Sequence, residues 1–136
     1  MAIYIVQSRL ENLKSIRDWL KTHLSLLGVD ERTSYGLITA VNEIVTNVIV
    51  HTHHENPAFK VGVEVEQIED SIEIRVMDFC PNCEIELVES EDTDPLSESG
   101  FGLKIAKSLV DNFHHEKGPD GNVFVLRKHV SSRVNS

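Results

Sequence analysis

Apolar and polar residues alternate in two different rhythms along this chain, and the rhythms divide it into elements. Ile3-Tyr4-Ile5-Val6 reads as a short strand. Ser8 followed by Glu11 has the form of a capping box, and Leu10, Leu13, Ile16, Leu20, Leu24 and Leu27 then recur at helical spacing as far as Gly28. Trp19 widens that apolar face and reads as core. Asp30 is placed to cap a second, longer helix reaching roughly to His51. In it Leu37, Val41, Ile44 and Val48 form one apolar row, with Ile38, Val45 and Ile49 beside it. Asn56-Pro57 ends the segment.

The rhythm then changes to period two. Phe59 to Glu66 and Ser71 to Met77 both alternate, and Glu69-Asp70 lies between them, which predicts an antiparallel hairpin with one buried face. From Glu84 to Ser99 the pattern vanishes in an acidic stretch holding Pro95 and several serines, which reads as a loop. Phe101 to Asn112 predicts a third helix, with Leu103, Ile105, Ala106, Leu109 and Val110 facing inward. Gly118-Pro-Asp-Gly121 is a turn signal, Val123 to Leu126 a final strand, and the tail after Val130 is expected to fray. The whole predicts an α+β two-layer sandwich. Its sheet is expected to be mixed but largely antiparallel, with three helices on one face. One domain over residues 1–130 and a frayed tail over 131–136 are expected.

Composition adds limits. The 136 residues suit one domain, and 40% hydrophobic with 26% charged residues is ordinary for a globular chain. Thirteen basic against twenty-two acidic residues give a net charge of −9, which speaks against direct nucleic-acid binding and against an anionic membrane surface. No basic-then-apolar targeting pattern opens the chain. The apolar run Leu37 to Val50 is broken by Asn42, Glu43 and Asn47 and does not read as a membrane span. Cys80 and Cys83 are too close together to staple a fold, so a reducing cytoplasm is the expected setting.

Three places carry candidate chemistry. Glu43 and Asn47 are four apart, hence on one helix face, and His51 extends the stripe by another turn. A carboxylate and an amide within the most apolar helix are costly unless solvated or paired. They read either as a solvated helix edge or as a base with a metal-orienting amide. Ser99-Gly100-Phe101-Gly102-Leu103 directly precedes a helix, where glycines let backbone N–H groups approach a phosphate. Val76-Met77-Asp78 ends a strand; its aspartate either accepts from an exocyclic amine or caps the loop.

In this order and spacing the chain resembles the anti-sigma factor serine/threonine-protein kinases of the GHKL, or Bergerat-fold, ATPases. Ala40-Val-Asn-Glu-Ile-Val-Thr-Asn47-Val-Ile-Val-His51 is similar to their Asn box, and Ser99 to Asp111 to their second glycine box and following helix. The resemblance implies ATP and Mg2+ as cofactors. Glu43 would be general base toward a substrate hydroxyl, Asn47 a magnesium ligand, and Asp78 the residue that recognises adenine. His51, Cys80 and Asn82 would lie along the nucleotide site, with Gly100, Phe101, Gly102 and Leu103 at the phosphates. It further implies an anti-sigma-factor antagonist as phosphoryl acceptor, a sigma factor as second partner, and a homodimer.

The first glycine box of that family, D-x-G-x-G, here reads Asp78-Phe79-Cys80-Pro81-Asn82, with cysteine and asparagine in place of both glycines. No Lys or Arg stands between Arg75 and Lys104, and Asp78, Glu84, Glu86, Glu89, Glu91, Asp92, Asp94 and Glu98 are all acidic. Such a stretch repels a triphosphate unless a cation offsets it, so slow or partner-dependent transfer is expected. A degenerate partner-binding module without catalysis is the alternative. A third reading takes Cys80-Pro-Asn-Cys83 as a zinc half-site or redox pair, with His51, His53 and His54 as nitrogen donors. Two ordinary thiols and solvated histidines are its plain counterpart. His114 and His115 read as strand or surface residues.

Overall fold

The computed structural model describes residues 1–83 and 104–130. The expected acidic loop, the second glycine box and the tail lie outside the described residues. Strand β1 (Ala2–Gln7) is followed by a 3-10 turn (Leu10–Asn12), helix α1 (Leu13–Leu26) and helix α2 (Glu31–Asn47). A π-helical turn (Val48–Thr52) continues α2, and β2 (Lys60–Ile68), β3 (Ser71–Met77), β4 (Asn112–Gly118) and β5 (Gly121–His129) complete the order. Residues 104–108 are helical. The five strands form one sheet in the order β1-β2-β3-β5-β4. Every pairing among them is antiparallel.

The period-two segments bury one face as expected. Val61, Val63, Val65, Ile72, Ile74, Val76, Phe124 and Leu126 pack against Ile16, Leu20 and Leu24 of α1 and Leu37, Val41, Ile44 and Val45 of α2. Trp19 joins this core and stacks on Tyr4 of β1 with ring centroids 5.4 Å apart. The opposite face carries cross-strand ion pairs. Registers Glu64↔Arg75 and Glu73↔Arg127 set the charges side by side. Arg75 reaches Glu73 at 2.7 Å and Glu64 at 3.3 Å, and Arg127 reaches Glu73 at 2.8 Å. No helix among the described residues is long and apolar enough to cross a membrane.

Helix boundaries follow local chemistry with two exceptions. Asp30 caps α2 as expected, accepting from the Thr33 amide at 2.8 Å. Ser8 does not cap α1: it is fully buried, and its hydroxyl meets His53 Nδ1 at 2.7 Å. A buried imidazole leaves a larger deficit than a solvated helix end, so the hydroxyl turns inward and Glu11 pairs with Arg9 at the surface. The expected third helix stops short of Asn112. Asp111 instead joins the sheet edge, its amide bonding the Arg127 carbonyl at 2.9 Å, and Asn112 opens β4.

The two faces of the sheet predict opposite sensitivities. Ile74→Ala, on the fully buried central face, is expected to cost about 2–5 kcal/mol. Ile5→Ala, on the exposed face of the edge strand, is expected to stay within about 0.5 kcal/mol. Urea denaturation midpoints of the two variants check this.

Candidate functional site

Helix α2 presents Glu43 and Asn47 on one face, both half-buried. Their neighbours are occupied. Asn42 accepts from Arg17 Nη1 of α1 at 2.9 Å, and the Thr46 hydroxyl donates to the Asn42 carbonyl at 2.7 Å. Glu43 and Asn47 make no hydrogen bond or ion pair among the described residues. Both keep carboxylate and amide atoms open to solvent or to a ligand.

Immediately beyond Asn47 the helix widens. The His53 amide bonds the Val48 carbonyl at 2.8 Å, an i to i+5 closure, and His54 and Glu55 then take left-handed backbone angles that end the helix. In the wider turn four residues make less than a full revolution, so His51 lags behind the stripe of Glu43 and Asn47 and is exposed. The same widening carries His53 into the interior, where it is 1% exposed and its ring stacks on Phe59 at 4.7 Å.

His53 connects α2 to the end of β3. Its Nε2 lies 2.9 Å from the Asp78 carbonyl oxygen. A carbonyl only accepts, so Nε2 carries the proton and Nδ1 accepts from the Ser8 hydroxyl. Burial holds the His53 pKa below the ordinary histidine value, against the opposing pull of the Asp78 carbonyl and carboxylate.

Asp78 itself is fully buried. Its Oδ1 accepts from the Cys80 amide at 2.9 Å and from the Asn122 amide at 2.8 Å, and its Oδ2 from Asn122 Nδ2 at 2.8 Å. Asn122 Nδ2 also donates to the Cys83 carbonyl at 2.8 Å, and its Oδ1 meets His115 Nε2 at 2.8 Å. Gly121 is the only residue type that fits beneath this group. A Cβ there would stand 2.5 Å from both Asp78 Oδ1 and the Cys80 nitrogen. Asp78 is thus a hub between the β3 end and the β5 start.

The turn after Asp78 accommodates the two glycine replacements without a left-handed backbone at either. Cys80 and Asn82 do not take left-handed angles; Phe79 does, at φ 51°. The Phe79 ring lies over Gly62 of β2, where a Cβ would meet it at 2.9 Å. Packing on a glycine therefore holds the left-handed residue of this turn. Cys80 is buried, Asn82 is exposed, and Cys80 is disulfide-bonded to Cys83.

The zinc reading does not survive this geometry. The two sulfurs are bonded to each other and His53 has both nitrogens committed. Among the described residues no group of three or more His, Cys, Asp or Glu side chains is placed to hold a metal ion. His114 and His115 lie in β4, where His114 pairs with Glu116 at 2.8 Å. Gly100, Phe101, Gly102 and Leu103 lie outside the described residues. Neither Asn122 nor Ser8 carries a spacing signal for a site, because their roles exist only across the sheet.

Residues 6–128 match the family model of the histidine kinase-like ATPase domain. A serine-protein kinase RsbW of Oceanobacillus iheyensis is 28% identical over 103 residues, 65% of each chain. An anti-sigma F factor of the same organism is 30% identical over 115 residues, 76% of this chain and 73% of that protein. The chain thus spans just under two thirds of that kinase's length. In the fold, it superposes on a crystal structure of the RsbU and RsbW domains of a Mycobacterium tuberculosis protein with a TM-score of 0.65 at 15% identity, covering 99% of this chain and 34% of that one.

Removing the hub's donor is expected to be costly. Asn122→Ala leaves Asp78 Oδ2 and the Cys83 carbonyl without their shared donor, for a loss of about 1–3 kcal/mol in denaturant unfolding. Acidity should act through His53. Its folded pKa lies below the ordinary 6.5, so the unfolded chain binds the proton more readily and stability rises with pH. That contribution is complete above pH 6.5 and declines as pH falls from there through the folded value. His53→Gln, which does not titrate, should lack this part of the slope when unfolding midpoints are compared across pH.

Proposed function

The chain belongs to the histidine kinase-like ATPase domain family, and on that premise we propose that it is an anti-sigma-type serine kinase, folded as one ATPase domain over residues 1–130. It binds ATP with magnesium in the cytoplasm and transfers the γ-phosphoryl group to a serine or threonine of an anti-sigma-factor antagonist. Its second partner is a sigma factor, released or held according to the antagonist's state, and the chain works as a homodimer. The observation that carries this reading is the open pair Glu43 and Asn47, half-buried on α2 while the polar groups around them are committed.

The donor set suits the chemistry. An amide oxygen at Asn47 fits a hard cation, and magnesium neutralises phosphate charge when bound. Glu43 accepts the proton of the substrate hydroxyl as its oxygen bonds the γ-phosphorus and ADP leaves. In this reading Asp78 is assigned to the adenine amine and Gly100 and Gly102 to the phosphates. The same reading assigns His51, Cys80, Asn82, Phe101 and Leu103 to the nucleotide. A second reading, a partner-binding module without transfer, is favoured by one observation: Asp78 is fully buried and already accepts three N–H groups.

Calorimetric titration of ATP with magnesium separates the two. Asn47→Ala is expected to weaken magnesium-dependent binding by at least about tenfold. Glu43→Ala should keep nucleotide binding and lose about 10²–10⁴-fold in phosphorylation of the antagonist. Binding without any transfer in the wild type would establish the second reading instead.

A further inference from the structure

The disulfide sits where it can control the Asp78 hub. Cys80 and Cys83 are separated by three positions, and the Cys83 amide bonds the Cys80 carbonyl at 3.1 Å, closing a tight turn. Each end of that turn holds one half of the hub. The Cys80 amide donates to Asp78 Oδ1 at 2.9 Å, and the Cys83 carbonyl takes a hydrogen of Asn122 Nδ2 at 2.8 Å. The other hydrogen of the same amide goes to Asp78 Oδ2 at 2.8 Å. A bridge over so short a loop constrains little of the unfolded chain. Its effect falls on the turn it closes.

We propose that Cys80 and Cys83 form a reversible thiol–disulfide site, and that the oxidised form latches Asn122 onto Asp78 and withholds that carboxylate from an adenine amine. The site takes a low-molecular-weight thiol and its disulfide as reactants. Pro81 and Asn82 are exposed, Cys83 is half-buried and Cys80 is buried, so exchange starts at the Cys83 sulfur. In the oxidising direction the Cys83 thiolate attacks a small disulfide and expels one small thiolate. The Cys80 thiolate then attacks the Cys83 sulfur and expels the second. Two protein thiols lose two electrons and two protons, and one small disulfide becomes two small thiols. Reduction runs the same steps backwards. It cuts the covalent link between the two ends of the turn, lets the Cys83 carbonyl leave Asn122, and frees the Asn122 amide from Asp78 Oδ2.

The ligand consequence rests on the nucleotide-site reading above; the latch does not. The full chain is equilibrated in a small thiol or in its disulfide, its redox state read by alkylation and mass spectrometry, and two properties are measured. The first is hydrogen exchange of the Asn122 side-chain amide, read by NMR, expected to speed up by at least about tenfold on reduction, the change that one lost hydrogen bond to a charged group produces. The second is calorimetric binding of ADP with magnesium, expected to be at least about tenfold tighter in the reduced protein. The double variant Cys80→Ser with Cys83→Ser should match the reduced protein in both buffers. Equal exchange in the two states, or a disulfide that small thiols leave intact in the folded chain, overturns the proposal. Faster exchange on reduction with equal ADP affinity overturns its ligand half. Faster exchange with no ADP binding in any state supports the latch and overturns the nucleotide-site reading.

Discussion

A carboxylate removed from water has to be satisfied in full by the chain around it, and at the end of β3 this requirement organises the molecule around Asp78. Its two oxygens accept three N–H groups from Cys80 and Asn122, and its own carbonyl accepts a hydrogen bond from His53 Nε2. Those bonds tie together α2, the β3 end and the β5 start, which are far apart in the chain. The consequence reaches individual residue types. Gly121 has to be glycine for the carboxylate to approach, and Ser8 gives up a helix cap to satisfy the far side of the imidazole. Interior polar groups connected in this way act as a unit, because leaving any one unpaired exposes the rest to the same deficit.

The sheet supplies the rigid base for this arrangement. Its inner face is apolar and fully packed on α1 and α2, and its outer face is held by Arg75 and Arg127 against Glu64 and Glu73. With both faces settled, the register of β3 against β5 is settled too, and Met77 stands opposite Val123. One step further along, Asp78 meets Asn122. A slip of one residue would turn the carboxylate toward the other face. α2 in turn packs its apolar rows on the sheet and leaves Glu43 and Asn47 at the edge of that contact. Apolar burial thereby places open polar groups beside the core without sealing them in it.

Much of this was legible beforehand, for a common physical reason. The α2 rows, the β2–β3 hairpin and the Asp30 cap arise from interactions between residues within a few positions, or from a repeated period that declares which face is buried. Glu43 and Asn47 stood out because they interrupt such a period. β4 was hard to read, since Asn-Phe-His-His-Glu-Lys-Gly has little apolar alternation and the strand exists by pairing with β5 at a sheet edge. The third helix ends sooner than its spacing predicts for the same reason: Leu109 and Val110 keep helical spacing, yet the bond from Asp111 to Arg127 draws the chain into the sheet.

Local pattern by itself determined most of the element types, the buried faces and the carboxylate–amide pair on one face of α2. Those properties are written in spacing, and spacing is a property of neighbours. The tertiary structure alone decided that His53 is an interior hydrogen-bond bridge and not a metal ligand. It decided that Phe79, and not the residues replacing glycine, carries the left-handed backbone, and that Asn122 partners Asp78. Each of these depends on which distant segments are brought into contact, and on the rule that a polar group, once buried there, must find its partner among whatever the fold has placed within reach.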